Sequence, residues 1–427
     1  MTRHPTRLLI RACAATLFLV MLAASCSSDD ETESGDETGG DESTQTSAAV
    51  DCPGEPLKFT TFAALSGAPT GSVDMDTARI GIDAALTEIN GTCSLGRPLE
   101  VTICDDKFDV NGSLACGREA AEDGTLALLS SSGSFDDGAT ASNLPAIYTL
   151  GTSAFELTNP KAYSSVSGVT IGMGGVSAAK AAGAETFLLV LPDLPQLQFV
   201  SNQVEAAGDQ LDIEVETLFT PIDATDFAPF AAQIAERDTD AVGLLPTAPV
   251  PLMNALTAEG ITPESKIMSI ASFVLTPEIV EELGETMNGM LVVASTMPTT
   301  DTKNPGIAEF RAALEANGED PDDPIISFTT VLSWSNLKKL EAALLAAGPE
   351  VIASLNSQSL VDAVVATPVD RPEQAPYDFR EHQLPEFPDL AAFRIFTREV
   401  ALLELNDGKY TAVADEFVDV LDPPTLK

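Results

Sequence analysis

Histidine is almost missing from this 427-residue chain: there are two, His4 and His382. So few cannot build a multi-histidine metal centre, and no Cys-x-x-Cys pair offers zinc a thiolate alternative. A nucleophile–histidine–acid arrangement would have to use His382, because His4 lies in a segment that reads as removable. Basic residues are scarce too, 22 Lys+Arg against 65 Asp+Glu, for a net charge of −43. Such a surface repels nucleic-acid backbones and has no basic patch for anionic lipid. Aromatic residues make up 6%, with one Trp and four Tyr, which leaves little for a sugar-stacking platform. Three cofactor or catalytic signatures are incomplete. The run from Gly151 to Phe155 lacks the closing glycine of a nucleophile elbow. Gly172-Met173-Gly174-Gly175-Val176-Ser177 lacks the third glycine of a dinucleotide fingerprint. The Asp105–Gly112 stretch puts Lys107 at a calcium-ligand position and Cys116 where the closing Glu belongs. The chain is therefore expected to need no cofactor or metal and to do no covalent chemistry.

What is present begins with an address. Arg3, Arg7 and Arg11 precede an apolar run, 12–24, and small residues lead to Cys26. This is the layout of a secretory signal peptide. At about thirteen apolar residues it is short of the roughly 20 that span a bilayer. Leu22-Ala23-Ala24-Ser25-Cys26 resembles a bacterial lipobox, which makes Cys26 the lipidated first residue; Ala23 departs from the usual leucine. Residues 27–54 are acidic and poor in aliphatic residues, and read as a solvated tether. Loss of the three arginines takes the net charge from −43 to −46. The chain is thus expected to be exported and lipid-anchored on the outer face of the cell membrane.

Four further cysteines fit an oxidising compartment. Cys104 ends a strand-like run and Cys116 falls in the first turns of the next helix, so a short loop can bring them together. That pairs Cys104 with Cys116 and leaves Cys52 for Cys93.

From residue 57 the chain alternates strand and helix. Strand-like runs occur at 57–64, 99–103, 126–129 and 146–150, and again at 186–191, 215–218, 241–245, 267–270 and 289–294. Helical patterns lie between them, as at 74–90, where Ile80, Ala84, Ala85 and Ile89 share one face. This rhythm predicts parallel sheets with right-handed crossovers, in two doubly wound lobes. The Ser/Gly-rich stretch 163–175 reads as one passage between lobes, 295–305 as a second and the Pro-rich 368–388 as a third, a three-strand hinge. Helices are expected at 307–317, 326–347 and 359–366, with Trp334 in the core. A strand pair, 393–397 and 400–405, should lead through Asp407-Gly408 into 410–413. The expected lobes are 55–166 with 297–368, and 167–296 with 369–427. Ligands of open α/β sheets bind beyond the carboxyl ends of the strands, in this case the cleft between lobes.

Ala64-Leu65-Ser66-Gly67, the helix ending Glu88-Ile89-Asn90-Gly91, then Gly96-Arg97-Pro98-Leu99-Glu100 and Cys104-Asp105-Asp106, resemble a known family. It is the type I periplasmic solute-binding proteins of the leucine/isoleucine/valine-binding kind, which deliver solutes to ATP-driven import permeases. The resemblance extends over residues 55–420. Ser130-Ser131-Ser132 and Gly151-Thr152-Ser153-Ala154-Phe155-Glu156-Leu157-Thr158 match the family's serine cluster after the third strand and its Gly-Ala-Thr-Asn-Pro-Glu-Leu-Thr-like motif after the fourth. The resemblance implies that Ser130, Ser131, Thr152 and Ser153 hold a ligand's carboxylate or ammonium through hydroxyls and free backbone N–H groups.

Departures bear on the ligand. No aromatic residue follows Ser66-Gly67, and Ala271-Ser272-Phe273 stands where an acid would pair with a ligand ammonium. Pro192-Asp193-Leu194 and Pro246-Thr247-Ala248 replace expected tyrosines. Asp193, Thr247 and Phe273 complete the expected second-lobe site, with Asp193 as substitute counter-charge. The sequence thus predicts a monomeric binding protein for an amino acid, amide or short carboxylate, partnered by an ABC permease. A sensor docking on a membrane receptor is the alternative, and an extracellular serine hydrolase using Ser153 and His382 is a third reading.

Overall fold

The computed structural model describes residues 52–66, 75–129, 136–193, 195–246 and 248–426. Its first sheet is all parallel, in the order β2-β1-β3-β4-β5. The strands are β1 (Leu57–Ala63), β2 (Leu99–Asp105), β3 (Ala127–Leu129), β4 (Ala146–Gly151) and β5 (Ala162–Ser167). Between them run α1 (Met75–Thr92), α2 (Val110–Glu122), α3 (Asp136–Ser142) and the short α4 (Ala154–Thr158). The second sheet begins after α5 (Gly168–Ala181). It takes β6 (Thr186–Pro192), β7 (Glu214–Thr220), β8 (Ala241–Leu244), β9 (Ile267–Ala271) and β10 (Met290–Ala294). The helices α6 (Pro195–Leu211), α7 (Ala228–Ala235), α8 (Pro249–Ala258) and α9 (Pro277–Leu283) connect them. Its parallel part runs β7-β6-β8-β9-β10, repeating the order of the first sheet. Helices α10 (Pro305–Ala316), α11 (Phe328–Ala347), α12 (Pro349–Ala353) and α13 (Ser357–Ala366) follow. The antiparallel β11 (Glu399–Asn406), β12 (Lys409–Ala412) and the short β13 (Val418–Asp419) close the second lobe.

The apolar runs explain the strands. All of β8 and β10 is buried, as a parallel strand covered on both faces requires. The β11–β12 hairpin turns through Asp407 and Gly408, both at positive φ, as the Asp-Gly signal predicted. Trp334 is fully buried in α11. Cys52 bonds to Cys93 and Cys104 to Cys116, as the cysteine spacing suggested. Among the described residues no helix is long and apolar enough to cross a membrane. Cys26, the leader and residues 27–51 of the tether lie outside the described residues.

Three local readings need correction. Residues 163–175 are not an irregular crossover: they hold all but the first residue of β5 and the first two turns of α5, capped by Ser167. Gly172, Gly174 and Gly175 lie inside α5 and serve packing, since a Cβ on Gly174 would sit 2.6 Å from Val293 on β10. Residues 393–397 are not a strand, because their contacts run to side chains and loops on both lobes in place of a neighbouring strand's ladder.

The chain crosses between sheets three times, at Ser167–Gly168, at 295–304 and at 367–398. The second and third crossings pair with each other: Met297 N–H donates to the Glu373 carbonyl (2.9 Å) and Ala375 N–H to that of Ser295 (2.8 Å). Helix α11 walls this junction. Ser335 Oγ donates to Glu373 (2.7 Å), Asn336 Nδ2 to the Tyr148 carbonyl (3.0 Å), and Arg371 bridges Glu373 and Glu309. Lys339 is buried here with Nζ 4.4 Å from the Tyr377 ring centroid and no hydrogen-bond partner.

Burial, helped by the nearby Arg371 charge, brings the Lys339 pKa down to about 7, although Glu373 and Asp370 pull the other way. Between pH 7 and 10.5 the unfolded chain therefore binds more protons at this site than the folded one, and stability rises with pH. Lys339→Met should stabilise the protein at pH 7 by about 1–4 kcal/mol, the range for replacing a buried charge with a well-packed apolar group. The gain should shrink as pH climbs to 10, which urea melts at pH 7, 8.5 and 10 will read. An equal gain at every pH would mean that Lys339 is not buried uncharged.

Candidate functional site

The order β2-β1-β3 reverses direction at β1, and β7-β6-β8 does so at β6. Each switch point opens at the carboxyl ends of its strands, where an open α/β sheet takes its ligand. On the first lobe these ends lead to Ser66, to residues 130–135 and to Thr152-Ser153. On the second they lead to Asp193, residue 247 and Ser272-Phe273. Ser130, Ser131 and Thr247 lie outside the described residues; Thr152, Ser153, Asp193 and Phe273 are described.

Thr152 and Ser153 leave the end of β4 and start α4. The serine caps that helix, Oγ accepting the Glu156 N–H at 3.1 Å, and Glu156 answers in a capping box. The Glu156 carboxylate is buried and accepts the N–H of both Thr152 (3.0 Å) and Ser153 (3.1 Å). Those two N–H groups, expected to be free for a ligand, are thus bound within the chain. What they leave to a ligand is hydroxyl chemistry, in which the Ser153 O–H can donate while its oxygen accepts from Glu156. Burial lifts the Glu156 pKa to about 7, with the Asp136 charge adding to it and the Thr152 and Ser153 bonds opposing. Sequence reading missed Glu156, though a Ser followed three residues later by Glu is the capping-box signature. It also missed Tyr148, a buried bulge residue of β4 at φ 55°, three residues before Gly151. A tyrosine in that conformation costs of order 1–3 kcal/mol.

The second lobe contributes a different surface. Leu191, Leu244, Leu245 and Ala271 close the strand ends. Phe273, half-buried in a single turn of 3₁₀ helix, lines a gap with them and with Gly168 of α5. That cavity measures about 40 Å³, room for a methyl-sized group but not for a whole solute. Phe273 also faces a second small gap, shared with Ser327 and Phe328 at the start of α11, so it stands between the lobes. Asp193 is exposed and accepts from Gln198 Nε2 (3.2 Å), while its N–H bonds the end of β7 at Thr220. His382 turns Nε2 to the Leu384 carbonyl (3.0 Å), and Ser153 is engaged by its own helix. No hydrogen bond joins the two among the described residues.

The sequence profile of the periplasmic binding proteins matches residues 56–397. The chain belongs to this family. It is of the type I, leucine/isoleucine/valine-binding kind. No curated protein matches it. Among solved structures, an extracellular ligand-binding receptor from Verminephrobacter eiseniae is 19% identical with a TM-score of 0.69, covering 84% of this chain and 100% of that one. A solute-binding protein from R. palustris, solved with 4-hydroxybenzoate, is 18% identical (TM-score 0.67; 87% and 98%). A possible leucine/isoleucine/valine-binding protein from Rhodopirellula baltica is 17% identical (TM-score 0.64; 86% and 99%). At these identities the likeness is one of fold. The family is extracytoplasmic, and its members are binding proteins.

For this binding protein, Glu156 gives a test of how the Thr152-Ser153 turn is held. Its folded pKa lies above the 4.5 of the unfolded chain, so this group's contribution weakens as pH rises from 4.5 to about 7. Glu156→Gln keeps an oxygen acceptor but cannot ionise. Parent and variant should diverge with pH, the variant gaining on the order of 3 kcal/mol across that interval. Parallel stability curves would show that the carboxylate is hydrated. Ser153→Ala should cost about 1 kcal/mol at any pH, the usual loss of a helix cap.

Proposed function

We propose that this protein captures a small carboxylate with an apolar or aromatic body in the cleft between its lobes and delivers it to an ABC import permease from a lipid anchor at Cys26. The two lobes, one built on each parallel sheet with the strap 376–398 fastened to the first, close on the ligand, and the closed form is what the permease recognises. One observation carries the ligand class: the two sets of strand ends differ in polarity. The first lobe offers Thr152 and Ser153, and the sequence that follows β3 adds serines at 130–132. Among the described residues the second offers Leu245, Ala271 and Phe273, with no buried acid beside them to pair with an ammonium group. An unpaired buried ammonium is costly, so this arrangement disfavours free α-amino acids and favours an anion that presents one polar end. Solved neighbours with 4-hydroxybenzoate and benzoate support the same chemistry.

Thermal-shift measurements on residues 27–427 test it with benzoate, 4-hydroxybenzoate, short aliphatic carboxylates, amides and leucine. At about 100 times its dissociation constant, a true ligand stabilises by roughly 2.7 kcal/mol. The expected hit is an aryl or alkyl carboxylate, weakened by Ser153→Ala and by Phe273→Ala. Stabilisation by leucine but by no simple carboxylate would overturn the ligand class. A carboxylate hit indifferent to both substitutions would overturn the site.

A further inference from the structure

Residues 376–398, the last crossing before β11, form a strap rich in proline and aromatic side chains. It is fastened to the first lobe over much of its length. Tyr377 and Phe379 pack against Tyr148 of β4 (ring centroids 5.8 and 5.7 Å apart), and Phe379 and Phe396 against Tyr163 of β5 (5.6 and 6.3 Å). Arg394 adds a main-chain bond to the Leu157 carbonyl (2.7 Å), a side-chain bond to that of Ala162 (2.6 Å) and a place over the Tyr163 ring. The Asp378 N–H bonds the Phe396 carbonyl (2.9 Å), so the two ends of the strap are tied to each other.

One residue before Arg394 the strap reaches the other way. Phe393 stacks on Phe199 of α6, with centroids 4.4 Å apart and the planes 25° from parallel. Helix α6 packs on α5 and β7, so Phe199 travels with the second sheet. Thr397 then meets α5 through a buried bond from Thr170 Oγ1 (2.9 Å), right where the strap becomes β11. That bond sits at the crossing itself and can act as a pivot. The Phe393–Phe199 stack joins the strap to a helix of the other lobe, and both rings are only half-buried. Separating them exposes rings already partly in water and opens no core. By contrast, Phe379, Phe396 and Ile395 are buried.

We propose that the Phe393–Phe199 stack is a latch between the lobes: it is made in the lobe arrangement described here, broken in the other, and so sets the balance between the two. The proposal rests on the closing-lobe reading above. It assigns a conformational role to two residues outside the ligand site. A stacked pair is worth enough to change a two-state ratio by about two- to tenfold.

The test uses spin labels at Glu236→Cys and Glu350→Cys, exposed positions on α7's carboxyl end and on α12. Electron–electron distances are measured in otherwise unaltered protein, in Phe199→Ala, in Phe393→Ala and in the double variant. Each single change should shift the ratio of short to long distances by about two- to tenfold, and the double should match either single, because the pair is lost once. Phe393→Leu should fall between. Unchanged distributions, or a double variant equal to the sum of two independent shifts, would overturn the latch. Melting curves identify any variant that fails to fold, and for such a pair the leucine variants at both positions carry the same comparison. Failure of the underlying reading looks different: the parent's distances would not respond to any carboxylate that stabilises it.

Discussion

A chain that passes three times between two parallel sheets must bury polar backbone where it crosses, and much of this molecule is arranged around that demand. The crossings cannot be apolar loops, because their N–H and C=O groups need partners once water is excluded. Two of them answer by pairing, Met297 with Glu373 and Ser295 with Ala375. Helix α11 serves the same junction with side chains, Ser335 on Glu373 and Asn336 on the strained Tyr148. This explains why a long helix carries Ser335, Asn336 and Lys339 on buried positions. It also explains why a bulge persists in β4: the Asn336 bond and the Tyr377 and Phe379 rings hold Tyr148 in a conformation it would otherwise leave. The polar junction and the aromatic strap thus meet at one residue of the strand that ends in Gly151-Thr152-Ser153.

The junction has a second consequence for mechanics. Hydrogen bonds between crossing segments resist stretching but allow small rotation, and a network with a buried lysine gains little from being tightened. Stiffness between lobes must then come from contacts away from the axis. Over 376–396 the strap is fastened to the first lobe by four ring contacts and to the second by the Phe393–Phe199 stack, while its end at Thr397 and Arg398 is anchored to the second lobe at the crossing through Thr170, Asp419 and Val420. Such asymmetry lets one lobe carry the strap as a rigid part while the other swings past it.

Alternation of apolar runs with helical periods was enough to predict both sheets, and the family resemblance supplied their arrangement. The β7-β6-β8-β9-β10 repeat of β2-β1-β3-β4-β5 is invisible in any single segment, since the two sets of strands share no motif. Where the reading slipped, the reason is local. Gly172, Gly174 and Gly175 look like loop residues, yet their missing side chains let α5 lie close to Val200 and Val293. Residues 393–397 alternate like a strand, but their partners are a helix face, two carbonyl oxygens of the first lobe and the scattered donors Asp378, Gln383 and Thr170. At the candidate site, residue types were legible and their use was not. Ser153 was read for its hydroxyl, whereas its position three before Glu156 made it a cap first. Tyr148 carried no signal, because backbone strain depends on contacts from residues more than 180 positions away.

A protein of net charge −43 to −46 is an improbable trap for an anion only if all its charges act at the site. At physiological ionic strength charges farther than about 8 Å are largely screened, so the many surface carboxylates slow arrival more than they weaken the bound state. Local groups decide the bound state, and two described acids flank the Thr152–Phe155 turn: Asp136, which accepts the Phe155 N–H at 2.9 Å, and Glu156. Two main-chain N–H groups and the pull of burial bring it close to half-protonation near neutral pH. The capping box withholds those N–H groups from a ligand and favours the charged acid, while burial opposes it and leaves about half the charge near pH 7. A carboxylate seated beyond Ser153 would meet a hydroxyl donor in front of a half-protonated acid, with the apolar Leu245 and Phe273 of the second lobe toward its other end. In that setting selectivity lies in the body of the ligand, because the first lobe reads little more than an acceptor and the second rejects any group that must stay solvated.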